Sequence, residues 1–473
     1  MEGILIGRTE EIELLKAQAD SDRSRFVVVY GRRRVGKTFL VREAFGYRFT
    51  FTHTGVEHAT KAEQLAQFRQ SLIVQGYDDC PMLTDWIEAF GQLKKLIMNS
   101  SDKRKVIFID ELPWMDTPKS RFLPAFENFW NGWCSARTDI LLIVCGSATS
   151  WMVKKVLQSK GGLFNRANRT IFLQPFTLKQ CEDYVREAGL SMGRRELVEA
   201  YMIFGGLPYY WSLLDRRYSL AQNIDRLCFT TVGELVLEFR RLYNSVFRVP
   251  EPYLRIVTVL GTRQIGMTRE DMVRILGVAN CGRLTNWLQD LELSGFIRHY
   301  HPFDRRKKGT VYQLIDNFTF FYFRFMRTPE NSRDGFWLSS ADSGERHNWE
   351  GLAFERVCLW HERQIKDALR IGGVQTNTAS WRSEKRTGGA QVDLVIGRKD
   401  GVINLCEMKF TSAPFAIGAS YEDELRNKVS LFKEETETKS SVHLTMVTVD
   451  GVRRNEHSGI VQSEVTLDDL FRP

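Results

Sequence analysis

The run Gly31-Arg32-Arg33-Arg34-Val35-Gly36-Lys37-Thr38 constrains this chain more than any other segment. It follows the apolar run Phe26–Tyr30 and precedes the helical pattern Phe39–Phe45. A strand, a glycine-bearing loop and a helix N-terminus, in that order, make a cradle for phosphate. Gly31 and Gly36 let the backbone wrap an anion without a Cβ in the way. The loop N–H groups, with those of Arg32, Arg33, Arg34, Val35 and Phe39, face the phosphate oxygens. Lys37 adds positive charge at the β and γ phosphates, and Thr38 offers a hydroxyl to Mg²⁺. ATP and Mg²⁺ are the expected cofactors.

A phosphate cradle that hydrolyses needs an acid at the end of a neighbouring strand. Val106–Ile109 followed by Asp110-Glu111 supplies one. Asp110 is expected to hold the metal and Glu111 to orient and polarise the attacking water. A third apolar run, Ile140–Cys145, ends in Gly146-Ser147, where Ser147 is either a sensor of the γ phosphate or a helix N-cap. Arg166 and Arg169 precede a fourth run, Thr170–Leu173. Arg166 is either an arginine finger acting on a neighbouring subunit or a solvated surface residue. The runs have the length and β-branched content of strands buried on both faces and alternate with helical patterns, so a parallel α/β sheet is expected over 1–175.

Ile6-Gly7-Arg8-Thr9-Glu10, the phosphate loop with Tyr30, and Phe108-Ile109-Asp110-Glu111-Leu112 resemble the archaeal-type ATPase family, a branch of the AAA+ and STAND-like P-loop ATPases. Phe204-Gly205-Gly206-Leu207-Pro208-Tyr209 resembles that family's lid motif. The resemblance covers about residues 1–330 and implies adenine contacts near Gly7 and Arg8. Asn165-Arg166 stands where the family often has Gly-Arg.

The 473 residues suggest about three domains. With 43% hydrophobic and 26% charged residues, the chain is an ordinary globular one and not a disordered one. The net charge of +8 is modest, so an argument for DNA must rest on where the charge sits. Eight scattered cysteines without a Cys-x-x-Cys pair argue against a zinc ribbon and a disulfide framework. No signal-like start and no apolar run near the ~20 residues of a membrane span are visible, so a soluble, cytoplasmic protein is expected.

Beyond Pro175 the texture becomes helical, and 176–240 reads as a helical lid. Residues 241–327 read as a winged helix-turn-helix: three helices, then a hairpin with the basic tip Arg305-Arg306-Lys307-Lys308. In its candidate recognition helix, Leu284, Trp287, Leu288 and Leu291 share a core face, leaving Arg283, Thr285, Asn286 and Gln289 for DNA. The aromatic stretch Phe318–Met326 reads as a core helix, and 328–345 as a linker.

Residues 346–473 read as a separate unit. Gln391–Ile396 and Val402–Phe410 form two strands, with Lys399-Asp400-Gly401 as a three-residue hairpin loop. That register sets Asp393 opposite Glu407, with Lys409 on the same side. Carboxylates so close repel unless a cation sits between them, and oxygen ligands suit Mg²⁺ or Mn²⁺. Asp393 and Glu407 are the candidate metal ligands, and Glu355, on an upstream helix, could add a third carboxylate. The set Glu355, Asp393, Glu407-x-Lys409 resembles the PD-(D/E)xK nuclease superfamily, which implies a C-terminal α/β fold like that of restriction endonucleases. The first expectation is an oligomeric ATP-hydrolysing, DNA-binding protein with a Mg²⁺-dependent nuclease domain. The rivals are a STAND-like ATP-driven switch whose C-terminal domain recruits partners without cutting, and a regulator that binds DNA without catalysis beyond ATP hydrolysis.

Overall fold

The computed structural model describes residues 5–158, 161–262, 266–303, 309–383 and 389–473. The chain forms two compact units: 1–175 with 240–250 and 289–294, and the remainder.

The first unit is built on a five-stranded parallel sheet. Its strands are β1 (Arg25–Tyr30), β2 (Phe51–Thr54), β3 (Lys105–Asp110), β4 (Ile140–Gly146) and β5 (Arg169–Phe172), in the order β2-β3-β4-β1-β5. All pairs are parallel. The inner strands are buried along almost their whole length, as continuous apolar runs require. β2 is an addition to the four strands expected. It lies at the sheet edge and alternates buried Phe51 and His53 with more accessible threonines, so it lacks the continuous apolar signature. On one face, helices Lys61–Val74, Trp86–Asn99 and Phe122–Gly132 bury an aromatic cluster. Within it, Phe90 stacks on Phe129 at 4.9 Å and meets Phe126 at 5.9 Å. Because β4 separates β1 from β3, the C-terminal ends of these strands deliver the phosphate loop, Ser147 and Asp110–Glu111 side by side.

The second unit opens with helices Leu178–Glu187, Arg194–Phe204, Pro208–Ser212 and Leu220–Cys228. Gly206 is required where the chain turns between two of them. A Cβ there would lie 1.9 Å from the Phe176 carbonyl oxygen, and Phe176 N–H donates to the Gly206 carbonyl at 2.6 Å. His361 ties the first helix to the C-terminal part. Its Nδ1 bonds to the Val357 carbonyl at 2.8 Å, and Nε2 accepts from Leu178 N–H at 3.0 Å. Burial lowers its pKa to about 4, consistent with a neutral ring that both donates and accepts.

Helices Glu251–Gly261 and Arg269–Leu276 belong with a small antiparallel sheet of β6 (Met267–Thr268), β7 (Ile297–Tyr300) and β8 (Val311–Leu314), in the order β6-β8-β7. In helix Gly282–Leu293, Leu284, Leu288 and Leu291 are buried while Arg283, Thr285, Asn286 and Gln289 are exposed. The basic tip 305–308 lies outside the described residues. The segment expected to be a linker, 328–345, is instead anchored. Trp337 is buried among Phe321, Phe325 and Trp349, and the Asp225 carboxylate accepts the N–H groups of Trp337 (2.7 Å) and Leu338 (3.0 Å). Its Gly, Ser and Pro content signalled loop, but one tryptophan with a cluster to enter is enough to fix it.

The last part carries a mixed sheet of β9 (Thr376–Arg382), β10 (Gln391–Arg398), β11 (Val402–Lys409), β12 (Ser441–Thr448) and β13 (Ser463–Thr466), in the order β13-β12-β11-β10-β9. The β10–β11 ladder runs from Gly397–Ile403 to Leu394–Cys406, the register expected from the hairpin, and Gly401 takes the left-handed conformation at φ 84°. Asp393 and Glu407 are the next residues along that register. The β9–β10 pairing slips between Val392 and Val395, a bulge that re-aims the Asp393 segment. Helices Gly344–Trp360 and Ala419–Thr436 belong to this part. No helix among the described residues is long and apolar enough to cross a membrane.

Candidate active sites

In the first unit the phosphate loop leaves β1 and enters helix Lys37–Ala44. Arg34 (φ 73°) and Gly36 (φ 92°) both adopt left-handed conformations, which turn successive N–H groups inward as an anion nest. Gly31 has a packing reason as well: a Cβ would meet the Leu173 carbonyl oxygen at 2.4 Å. Lys37 is 5% exposed, and its ammonium donates to the carbonyls of Gly31 (3.0 Å) and Arg32 (2.9 Å). Burial lowers its pKa, opposed by Glu111, Cys145 and Asp110. The Thr38 hydroxyl donates to Asp110 Oδ2 at 2.6 Å. This sets a hydroxyl and a carboxylate oxygen next to each other, the oxygen donors a hard divalent cation prefers. Burial and then the Glu111 charge raise the Asp110 pKa, a penalty that a cation at this carboxylate would relieve.

Glu111 occupies a left-handed conformation (φ 47°, ψ 45°), which costs of order 1 kcal/mol for a residue with a Cβ. Ser147 holds its carboxylate. The Ser147 N–H donates to Oε2 at 3.1 Å, and the Ser147 hydroxyl donates to Oε1. The N-cap of the following helical turn is Ala148, without a side-chain capping bond, so the Ser147 side chain serves Glu111 and not a helix end. Arg8 is 6% exposed and donates to the Gln174 carbonyl at 2.6 Å and to Glu11 at 3.3 Å. Gly7 adopts φ 59°. Arg32 is buried, and Arg33 reaches Glu57 at 3.5 Å. Val35 is buried, and Phe39 is half-buried. Arg166 is exposed in the turn that precedes β5, next to Asn165 at φ 55°.

In the second unit Glu355, Asp393, Glu407 and Lys409 line one cavity of about 330 Å³, together with Gln391, Glu424, Asn427 and Lys428. A helix and two strands thus bring together the four residues singled out in the sequence. Glu407 is 8% exposed; Lys428 donates to its Oε1 at 2.8 Å and Tyr421 to its Oε2 at 3.3 Å. Gln391 Nε2 donates to Asp393 Oδ1 at 2.6 Å. The Lys409 ammonium lies 4.8 Å from the centroid of the Tyr421 ring. Burial first, then the Asp393 charge, push the Glu355 pKa up to about 8, with Glu407 adding and Arg356 and Lys409 opposing. Arg356 is itself buried, bonded to the Leu314 (3.1 Å) and Leu352 (2.7 Å) carbonyls, and lies 3.7 Å over the Phe320 ring. Among the described residues no three His, Cys, Asp or Glu side chains stand in a metal-holding arrangement. The expected ligands Asp393 and Glu407 share a cavity, with protein donors on both Glu407 oxygens and on Asp393 Oδ1. The donor set of carboxylates with an adjacent lysine still has the chemistry of a hard-cation site. Sequence reasoning missed Gln391 and Tyr421. Gln391 shares a strand face with Asp393, two residues on, and that spacing is the signal that could have found it.

Residues 5–214 match the family described as an ATPase domain predominantly from Archaea. The chain is 26% identical over 377 residues to an uncharacterized protein of Methanocaldococcus jannaschii, covering 75% of this chain and 76% of that one. A 40-residue stretch is 40% identical to an uncharacterized ATP-binding protein of the same organism, covering 8% of this chain and 68% of that one. Among solved structures, a Walker-type ATPase of Pyrococcus abyssi superposes with a TM-score of 0.50 at 17% identity, over 68% of this chain and 96% of that one. The ORC2 protein of Aeropyrum pernix, in ADPNP and ADP complexes, gives 0.41 at 12% identity, over 72% and 96%. At 17% identity the likeness to the Pyrococcus abyssi protein is one of fold.

Proposed function

We propose that this chain hydrolyses ATP, binds DNA and cuts it through its C-terminal domain. Residues 5–214 match an ATPase domain predominantly from Archaea. The observation that supports hydrolysis there is the Thr38–Asp110 contact at 2.6 Å beside the buried ammonium of Lys37. Lys37 neutralises charge on the terminal phosphates, the loop N–H groups hold them in line, and Glu111 polarises the attacking water once it turns from Ser147. Mg²⁺, when bound by Thr38 and Asp110, supplies charge neutralisation of the phosphates.

For the C-terminal domain the supporting observation is the shared cavity of Glu355, Asp393, Glu407 and Lys409. A divalent cation bound by Asp393 and Glu407 would supply Lewis-acid activation of a phosphodiester. Lys409 steadies developing negative charge at the phosphate, and Glu355, with its raised pKa, holds or releases a proton near neutral pH. The exposed Arg283, Thr285, Asn286 and Gln289 on one helix face, before the β7–β8 hairpin, support a winged helix that meets DNA. The exposed Arg166 suits an arginine finger in a homo-oligomer. A switch that recruits without cutting is favoured by one observation, the capture of Glu407 by Lys428 at 2.8 Å.

The test is cleavage of linear, circular and branched DNA with Mg²⁺ or Mn²⁺, with and without ATP, comparing wild type with Asp393→Ala and Lys37→Ala. We expect cleavage that Asp393→Ala abolishes and that Lys37→Ala alters through loss of ATP hydrolysis. No cleavage under any condition, with hydrolysis of ATP intact, would favour the switch.

A further inference from the structure

A second cavity, of about 600 Å³, lies between the β6-β8-β7 sheet and β9. Its wall includes the half-buried rings of Tyr300 and Phe303 and the buried Trp381, which packs on Phe432 at 5.3 Å, with Arg382, Glu435 and Gln391 among the polar groups. The two sheets are joined at this point. Pro302 bridges to Ser380, Phe303 N–H donates to the Ser380 carbonyl at 2.9 Å, and the Phe303 ring packs on Phe432 at 5.1 Å. The cavity is therefore formed by the fold itself and is large enough for a nucleoside with its sugar.

Three features bear on what enters and where it lies. Aromatic walls suit a flat, weakly hydrated ring, and stacking on such walls tolerates every base. Carboxylate and amide groups suit the amino and carbonyl edges of a nucleobase. The third feature is continuity. Gln391 lines this cavity and also the carboxylate cavity, and its amide donates to Asp393 Oδ1 at 2.6 Å. A group held in the larger cavity is thus one side chain away from the acids.

We infer that the larger cavity receives an unpaired nucleobase of a nucleic-acid strand whose backbone passes the Glu355–Asp393–Glu407 site. This rests on the nuclease reading of that site. Gln391 joins the two events: its side chain contacts the base and steadies Asp393. A stacked base inside a duplex must be extruded first, whereas a single strand offers it without that cost. The substrate class is therefore single-stranded DNA, or duplex DNA with an unpaired nucleotide.

The experiment uses the full chain in EDTA, so that binding is read without cleavage. The probe is a single-stranded DNA oligonucleotide with one 2-aminopurine, compared with the same probe fully paired. Stacking on Tyr300 or Phe303 should quench the single-stranded probe several-fold and leave the paired probe little changed. Val311→Trp and Thr436→Trp, which fill the cavity from two different elements, should each weaken single-strand binding about tenfold or more. Photocrosslinking of wild type to 5-iodouracil DNA needs no variant to fold and should map to Tyr300, Phe303 or Trp381. Unchanged quenching in both filled variants, no quenching in wild type, or crosslinks confined to other elements would each overturn the inference. Quenching without any cleavage by the Mg²⁺-supplied protein sinks the nuclease reading alone. Cleavage lost in Asp393→Ala, but without quenching in wild type, sinks the cavity alone.

Discussion

The two acid sites of this molecule use the same materials, strand-end carboxylates, a lysine and a helix, and differ in what holds them. In the nucleotide site the lysine bonds to the carbonyls of its own loop, and Asp110 meets Thr38 directly. Most of that geometry comes from eight consecutive residues between a strand and a helix. In the C-terminal site the acids arrive from a helix and two strands, and protein donors already engage them: Lys428 and Tyr421 on Glu407, Gln391 on Asp393. The first site has its anion cradle set by backbone. The second has protein donors on Glu407 and on Asp393 Oδ1 while the charges of both acids still raise the Glu355 pKa, so a cation or phosphate that binds Glu407 competes with Lys428 and Tyr421. Glu111 is the point where the first site resembles the second, because Ser147 engages its carboxylate through two hydrogen bonds.

That comparison breaks most sharply at Glu111. Glu111→Gln should lower ATP hydrolysis by about 10²–10⁴-fold, the range for loss of a general base, while equilibrium ATP binding stays near wild type. Hydrolysis within a few-fold of wild type would show that another group orients the water. A smaller effect comes from Ser147→Ala, which removes the hydroxyl bond to Glu111 and leaves the backbone N–H bond. A hydrogen bond to a carboxylate contributes about 1.5–3 kcal/mol, so a change of about tenfold or more in turnover is expected, with ATP affinity unchanged. If turnover is unaffected and only the melting temperature drops, Ser147 supports the fold and does not steer Glu111.

The same contrast explains what could be read from the residues alone. The phosphate loop, Asp110–Glu111 and the inner strands were legible because each is a local pattern with a fixed neighbour. The β10–β11 register was legible too, since a three-residue loop with Gly401 sets which residues face each other. β2 was not, because an edge strand with alternating threonines carries little apolar signal. Nor was the anchoring of 328–345, where the local Gly, Ser and Pro content outweighed Trp337, whose backbone partner Asp225 lies far back in the chain. Tyr421 stands on a helix whose approach to Glu407 no local periodicity announces. Long-range partners are settled by packing, and packing is what a linear reading lacks.

Glu355 gives the finest division between the two sites, because its charge is a matter of pH. Burial and the neighbouring Asp393 raise its pKa from an ordinary value near 4.5 to about 8. Between those values the folded chain keeps a proton that the unfolded chain has released. Each step up in pH then favours unfolding, and stability falls across that window. Glu355→Gln removes the titration and keeps the shape. The variant should melt close to wild type near pH 4.5 and increasingly above it as pH rises to about 8, after which the gap stays constant. Mg²⁺ at pH 8 should raise the melting temperature of wild type more than that of the variant, since a cation between the carboxylates relieves the repulsion that raises the Glu355 pKa. A gap that does not vary with pH would mean that Arg356 and Lys409 already compensate the Glu355 charge.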